Sequence, residues 1–154
     1  TERAVESFRS RTEARGIRLE SLSLSDSAFV EGDEGKLYQV LLNVLGNAVR
    51  FTPDGGSIEA RTGRLPAGRD QGVSISVADT GPGVPGAKLD RIFDRFYRID
   101  EARNREHGGR GLGLAISKAI VEGHGGTIRA INRPAGGLEI RIHLPAAREI
   151  LLSG

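Results

Sequence analysis

Apolar and polar residues follow one another along the chain with two spacings, one helical and one strand-like. Across residues 33–51 the apolar positions recur every three or four residues, and Asp33 is placed to cap the first turn, so a long helix is predicted. The same spacing predicts helices over 1–15, 88–97 and 112–124. The residues of the last two helices that are expected to face the core are Leu89, Ile92, Phe93, Phe96, Leu114, Ala115, Ile116, Ile120 and Val121.

A strict alternation of apolar and polar residues predicts strands elsewhere. The predicted strands are 17–22, 28–30, 57–64, 73–79, 128–132 and 138–144. Stretches rich in glycine and proline at 80–86 and 133–137 are typical of loops, and the last two strands are expected to form a hairpin across the second stretch. This mixture of strands and helices predicts an α/β (α+β) two-layer sandwich with a mostly antiparallel sheet.

The composition excludes several kinds of site. The 154 residues suit one domain and include no cysteine, which excludes a disulfide scaffold, a thiolate zinc site and a cysteine nucleophile. His107, His124 and His143 are far apart in sequence, so structural roles are expected for them rather than a metal centre. No apolar run is long enough to span a membrane, and no signal peptide is expected. The net charge is +2 and the arginines are dispersed, so nucleic-acid binding is not predicted.

One flank of the helix over 33–51 is the first candidate site. With about 100° per residue, Lys36, Asn43, Asn47 and Arg50 fall within an arc of about 60° beside the apolar stripe, and the last three span about 10 Å. A carboxamide offers a neutral oxygen to a hard cation such as Mg²⁺, and arginine binds phosphate. The flank therefore suits a triphosphate, and a solvated polar flank is the alternative.

The second candidate site lies at the end of the strand over 73–79. Asp79 ends that strand, and Gly81 and Gly83 follow it, so a ligand could approach the backbone closely. The carboxylate can accept a hydrogen bond from the amino group of adenine, whereas it would repel the carbonyl group that guanine presents at the same edge. An aspartate in an ordinary turn is the alternative.

The third candidate site is a glycine-rich segment that leads into the helix over 112–124. Glycines at 108, 109, 111 and 113 let the chain wrap closely around a ligand, and the free amides at a helix start bind anions. The spacing matches neither a dinucleotide-binding loop nor a Walker A loop. A flexible hinge before a buried helix is the alternative.

Taken together, the order and spacing of these motifs resemble the sensor histidine kinases. Residues 43–48 resemble the N box of that family, 79–83 its G1 box, 93–98 its F box and 109–114 its G2 box. The stretches QVLLNVLGNAVRFTP and GLGLAISKAIVEGHGGTI are very similar to family sequences, and the resemblance covers about residues 1–145. It implies the Bergerat fold, a mixed sheet with helices on one face, in which ATP is held under a mobile lid.

The resemblance also implies roles for individual residues. Asn47 is implied to bind Mg²⁺, Asn43 to lie near the phosphates of ATP, Arg50 to neutralise their charge, Phe51 to lie beside the nucleotide and Asp79 to bind the adenine amino group. The residues implied to surround the adenine are Gly81, Gly83 and Val84. The residues implied to wrap the phosphates are Gly109, Arg110, Gly111, Leu112, Gly113 and Leu114.

The F box is implied to set the position of the lid, which is expected over 98–110. Phe93 and Phe96 are its packing residues, and Tyr97 and Arg98 follow them at the nucleotide. Arg98 is a candidate ligand of the γ-phosphate, and with Asn43 it forms the expected catalytic pair.

Three positions depart from related families or from the usual pattern. ATP-hydrolysing relatives usually have glutamate where this chain has Asn43, and asparagine cannot take a proton from water, so hydrolysis is expected to be slow. Arg110 replaces a threonine or serine, and it is either a further phosphate ligand or a solvent-facing cation. Leu138 stands where a threonine is common, which leaves water-bridged contacts to the base open.

The function implied by the resemblance is that of the ATP-binding catalytic domain of a two-component sensor kinase. It would transfer the γ-phosphoryl group of Mg-ATP to a histidine on a separate dimerisation and phosphoacceptor hairpin, with a response regulator downstream. The domain is expected over 1–145 with a tail over 146–154, as a monomeric cytoplasmic part of a membrane-anchored bacterial kinase. The alternatives are an ATP-binding regulatory module without transfer, a GHKL-type ATPase, and a serine kinase of the anti-sigma type.

Overall fold

A computed structural model describes residues 1–23, 30–65, 71–99 and 111–146 of the chain. The helices in these ranges are α1 (Glu2–Glu6), α2 (Arg9–Glu13), α3 (Glu34–Phe51) and α4 (Gly113–Gly123). The strands are β1 (Arg18–Ser23), β2 (Ser57–Leu65), β3 (Gly72–Asp79), β4 (Thr127–Asn132) and β5 (Leu138–Pro145). No helix within the described ranges combines the length and the hydrophobicity that crossing a lipid bilayer requires.

The five strands form one sheet in the order β1-β2-β3-β5-β4. β1 runs parallel to β2, and the other neighbouring pairs are antiparallel, which confirms a mixed, mostly antiparallel sheet. Ala60, Val77 and Ile140 are register neighbours on β2, β3 and β5, and all three are buried in the core. The alternation of each strand therefore turns one face of the sheet toward the helices.

α3 packs on the sheet because one of its faces is apolar. The buried residues of this helix are Val40, Leu41, Val44, Leu45, Ala48 and Val49. Leu45 has no exposed surface, and burying a side chain of this size stabilises a fold by about 1.5–3 kcal/mol. The Asp33 carboxylate accepts a hydrogen bond of 3.0 Å from the amide of Lys36, which confirms the predicted cap. The helix thus presents the flank with Asn43 and Asn47 at the margin of the core.

The N-terminal segment forms two short helices, α1 and α2, instead of the single helix predicted over 1–15. The hydroxyl of Ser7 donates to the carbonyl oxygen of Ala4 at 2.7 Å, and such a side-chain bond competes with a continuous helix. Phe8 separates the two helices and is buried in the core. The apolar residues Val5 and Phe8 are therefore buried as predicted, although two short helices replace the single helix.

The segment predicted as one helix over 88–97 forms two short 3₁₀ helices, Gly86–Lys88 and Asp90–Phe93. Asp94 then takes an extended conformation, and Phe96 has a φ of 62°. Phe96 is consequently 69% exposed, so its predicted packing role in the core is wrong, whereas Phe93 is buried as predicted. The amide of Phe96 donates to Gly111 at 3.0 Å, which holds the chain in this turn.

α4 is rotated relative to the predicted burial pattern. Val121 is buried as expected, but Ile116 is 39% exposed, and Ser117 is completely buried in its place. The hydroxyl of Ser117 donates to the carbonyl oxygen of Gly113 at 2.9 Å, so the polar group is satisfied inside the interface with α3.

Some predicted features lie outside the described residues. They are the strand residues 28 and 29, lid residues 100–110 with His107, Gly109 and Arg110, and tail residues 147–154. Val30, the last residue of the predicted strand over 28–30, is described and has no regular structure.

Candidate functional site

Asp79 is a buried carboxylate at the end of β3, with only 6% of its surface exposed. Its Oδ1 atom accepts hydrogen bonds from the amides of Gly81, at 2.8 Å, and Leu138, at 3.2 Å. Its Oδ2 atom has no hydrogen-bond partner among the described residues. Burial raises the pKa of Asp79, and the two amides and the charge of Arg133 oppose that rise only in part. The site therefore holds one carboxylate oxygen ready to accept a hydrogen bond from a ligand.

Gly81 brings the turn after Asp79 into contact with the C-terminal end of α3. A Cβ atom on Gly81 would lie 2.7 Å from the carbonyl oxygen of Phe51, so only glycine allows this approach. Phe51 itself is 44% exposed next to this turn. The predicted adenine turn and the C-terminal end of the helix that carries the N box are thus direct neighbours.

Asn43 joins the middle of α3 to the start of α4. Its Nδ2 atom donates to the carbonyl oxygen of Gly113 at 3.1 Å and to the hydroxyl of Ser117 at 3.3 Å. The glycine-rich segment and the N box are therefore held together by a side chain that sequence reasoning assigned to the ligand alone. Asn47 is half-buried one turn later, and its carboxamide makes no hydrogen bond to another described residue.

Two arginines lie close together beside this flank. Burial lowers the pKa of Arg50, and the positive charge of Arg98 lowers it further. The Arg50 guanidinium carbon also lies 5.1 Å from the centre of the Phe51 ring. Guanidinium groups form charge-assisted hydrogen bonds with phosphate and carboxylate, so this part of the site suits a ligand with negative charge.

Two residues that flank the predicted lid over 98–110, Phe96 and Gly111, are in contact. The carbonyl oxygen of Gly111 accepts the bond from Phe96 described above, and the Arg91 guanidinium carbon lies 4.4 Å from the centre of the Tyr97 ring. Leu112 and Leu114 are half-buried at the start of α4. Gly111 of the glycine-rich segment thus lies next to Phe96 of the F box.

α3 is the element that brings the three candidate clusters together. Its middle, at Asn43, contacts the glycine-rich segment, and its end, at Phe51, contacts the turn after Asp79. Phe51 follows Asn43 by eight positions along the helix, which corresponds to a rise of about 12 Å. The arrangement suits an elongated ligand with a hydrogen-bond donor at one end and negative charge at the other.

Sequence reasoning missed the contribution of the hairpin between β4 and β5. The Asn132 carboxamide bonds to the backbone of Val84, and the Arg133 guanidinium donates to the carbonyl oxygen of Asp79 at 2.8 Å. Leu138, which stands where the family commonly has a threonine, contributes its backbone amide to Asp79. These contacts join residues about fifty positions apart, and neither periodicity nor motif spacing indicates them.

Comparisons with known proteins identify the family of this chain. Residues 32–148 match the family model described as histidine kinase-, DNA gyrase B-, and HSP90-like ATPase. The chain is 44% identical over 143 residues to the signal transduction histidine-protein kinase BaeS of Escherichia coli K12, which covers 93% of this chain. The chain spans only 30% of the length of that relative.

Solved structures of sensor kinases share the fold. The mycobacterial sensor histidine kinase MprB superposes with a TM-score of 0.79 at 34% identity, over 94% of this chain and 91% of that chain. Full-length ShkA in complex with AMPPNP superposes with a TM-score of 0.79 at 33% identity, over 95% of this chain and 29% of that chain. These likenesses confirm the Bergerat fold, and with the matched family model they establish that this chain belongs to the histidine kinase-, DNA gyrase B- and HSP90-like ATPase family.

Proposed function

We propose that this chain is the ATP-binding catalytic domain of a sensor histidine kinase. It transfers the γ-phosphoryl group of ATP to a histidine on a separate dimerisation and phosphoacceptor hairpin. The observation that carries this proposal is the buried Asp79 carboxylate, whose Oδ1 is held by two amides while Oδ2 has no bond to a described residue. An adenine amino group supplies the donor that this oxygen lacks.

The phosphates belong at the other end of the site, along the α3 flank. Arg50 and Arg98 supply positive charge there, since each lowers the cost of placing a negatively charged phosphate beside it. The Asn47 carboxamide, which makes no bond to a described residue, suits the oxygen ligation of Mg²⁺. Mg²⁺, when bound with ATP, neutralises phosphate charge; the protein residues orient the chain of phosphates.

Asn43 favours transfer over hydrolysis. An amide cannot accept a proton from water, and its Nδ2 atom is engaged with Gly113 and Ser117 of α4. Phosphoryl transfer needs positioning and charge neutralisation more than covalent chemistry by the protein. A domain of this kind retains ATP until an acceptor histidine is presented. Gly109 and Arg110, with Gly111 to Leu114, are proposed to wrap the phosphates.

The partners follow from this function. The acceptor hairpin belongs to the same kinase, and a response regulator receives the phosphoryl group from its histidine. We assign the domain to the cytoplasmic part of a membrane-anchored bacterial kinase, as a monomer when it is separated from the hairpin.

The test is a pair of assays on the purified chain. Binding of ATP is measured by calorimetry with and without Mg²⁺ in the wild type, in Asn47→Ala and in the control Gln39→Ala, an exposed polar residue of the same helix. Loss of the magnesium-dependent part of binding is expected in Asn47→Ala alone. Labelled ATP is then mixed with the chain and the acceptor hairpin, and transfer to histidine is expected. Rapid ATP hydrolysis without the hairpin would instead favour an ATPase, and binding without transfer would favour a regulatory module.

A further inference from the structure

Asn132, the last residue of β4, holds the loop that follows Asp79 by a two-point contact. Its Oδ1 atom accepts a hydrogen bond from the amide of Val84 at 2.9 Å, and its Nδ2 atom donates to the carbonyl oxygen of Val84 at 2.6 Å. Val84 is buried but lies in irregular backbone between β3 and the first 3₁₀ helix. The carboxamide, which has the same donor and acceptor as a peptide group, thus replaces the neighbouring strand that Val84 lacks.

The preceding residue is shaped to admit this side chain. Gly83 has a φ of 71°, and a Cβ atom there would lie 2.8 Å from Oδ1 of Asn132. A larger residue at 83 would therefore suffer both backbone strain and a collision with Asn132. The glycine that sequence reasoning assigned to the ligand also serves the contact with β4.

The same hairpin fixes the other end of the loop at Asp79. Leu138, the register partner of Asn132 across β4 and β5, donates its amide to Oδ1 of Asp79. Arg133 donates to the carbonyl oxygen of Asp79. The hairpin between β4 and β5 therefore contacts both Asp79 and the loop at Val84, and it fixes their positions relative to each other.

We propose that Asn132 is a positioning residue that sets the base preference of the nucleotide site. This inference rests on the proposed function and concerns the purine subsite within it. Adenine presents an amino group to Asp79, whereas guanine in the same pose presents a carbonyl. Guanine can offer its N1 and N2 donors to the carboxylate only if the base shifts sideways. A loop fixed at Val84 opposes that shift, and a loop released from Asn132 permits it.

The experiment compares the affinities for ADP and GDP, measured by calorimetry with Mg²⁺ on the purified chain. The variants are Asn132→Ala, Asn132→Asp and the control Thr127→Ala, which changes an exposed residue at the opposite end of β4. Asn132→Asp keeps an acceptor for the amide of Val84 but loses the donor to its carbonyl oxygen. Thermal unfolding of each variant is recorded alongside.

We expect the wild type and Thr127→Ala to prefer ADP. Loss of two hydrogen bonds that fix the loop is expected to raise the Kd for ADP about tenfold in Asn132→Ala. The Kd for GDP is expected to stay the same or fall, because the phosphate contacts remain. The ratio of the Kd for GDP to the Kd for ADP therefore decreases. Asn132→Asp is expected to reduce the preference for ADP over GDP at least as much as Asn132→Ala does.

Two results would overturn the inference. One is an unchanged ratio of the two affinities in both variants, which includes the case in which both affinities fall together through general destabilisation. The other is a wild type that binds ADP and GDP with equal affinity, because Asn132 would then have no base preference to set. Failure of the wild type to bind either nucleotide would instead refute the proposed function, so the two failures are distinguishable.

Discussion

The carboxamide of Asn43 donates a hydrogen bond of 3.1 Å to the carbonyl oxygen of Gly113, which joins α3 to the first turn of α4. The same nitrogen also reaches the hydroxyl of Ser117. Asn43, for which the motif implies a role at ATP, thus also helps to hold α3 and α4 together beside the proposed phosphate subsite. A general base at this position would be unable to make these bonds, because a carboxylate has no hydrogen to donate.

Replacing Asn43 by aspartate is therefore expected to destabilise the chain in the absence of nucleotide. The variant loses both donations and places a negative charge beside the carbonyl oxygen of Gly113, with an expected cost of about 1–3 kcal/mol. Chemical denaturation measures the free energy of unfolding. Asn47→Asp is the matched control, since it makes the same chemical change one turn later, where the carboxamide bonds to no described residue. Equal losses in the two variants would contradict this role of Asn43.

Asp79→Asn is expected to weaken ADP binding without lowering the thermal stability of the chain. The asparagine Oδ1 can still accept from Gly81 and Leu138, while the cost of burying a charge disappears, so thermal stability at neutral pH should stay the same or rise. The outward group becomes a donor and can no longer accept the adenine amino group, so affinity for ADP should fall at least tenfold. Calorimetry and thermal unfolding of the same samples test both halves. A variant that lost stability and kept its affinity would contradict the assignment of Asp79.

The raised pKa of Asp79 predicts opposite effects of pH on stability and on binding. Because the folded state holds the proton more tightly than the unfolded state, Asp79 stabilises the fold at pH below its ordinary pKa, and this contribution is lost as the pH rises through the raised value. Nucleotide affinity changes in the other direction, since only the ionised carboxylate has both oxygens free of a proton. Over the window between the two pKa values, acidification should weaken ADP binding in the wild type. In Asp79→Asn this part of the pH dependence of stability should disappear.

The sequence was most informative where function depends on local spacing. The flank with Asn43 and Asn47, the cap at Asp33 and the end of β3 at Asp79 all follow from periodicity, and the structure has them where they were predicted. Phe96 was not predictable in the same way, because its φ of 62° occurs together with a hydrogen bond to Gly111, a residue that is distant in sequence. Asn132 contacts Val84, 48 residues away, through a side chain that pairs with backbone. Contacts of that kind depend on the assembled sheet and leave no periodic signal.

Arg98 is predicted to distinguish ATP from ADP. If its guanidinium contacts the γ-phosphate, Arg98→Met should lose a charge-assisted hydrogen bond only with ATP, and the Kd for ATP should rise about tenfold or more. The Kd for ADP should change little. Arg95→Met is the control, because Arg95 is an exposed arginine three residues earlier. Equal effects of Arg98→Met on the Kd values for ATP and ADP would show that Arg98 contributes only positive charge to the site and does not contact the γ-phosphate.

His124 joins the end of α4 to the start of α3. Its position also explains why residue 32 is a glycine, although none of the motifs includes this residue. Nε2 of His124 accepts a hydrogen bond of 3.0 Å from the amide of Asp33, and Nδ1 lies 2.7 Å from the carbonyl oxygen of Ile120. The two contacts need a neutral ring with the proton on Nδ1. A Cβ atom on Gly32 would lie 2.5 Å from Cδ2 of the same ring.

Gly32→Ala is therefore expected to reduce the free energy of unfolding by about 1–3 kcal/mol, because the new methyl group displaces the ring. In a His124→Ala background the same substitution should cost much less, since the ring is gone and the contact with Leu37 at 3.1 Å remains the main obstacle. Denaturation of the two single variants and the double variant measures this coupling directly. Strictly additive losses would mean that Gly32 is needed for a reason other than the approach of His124.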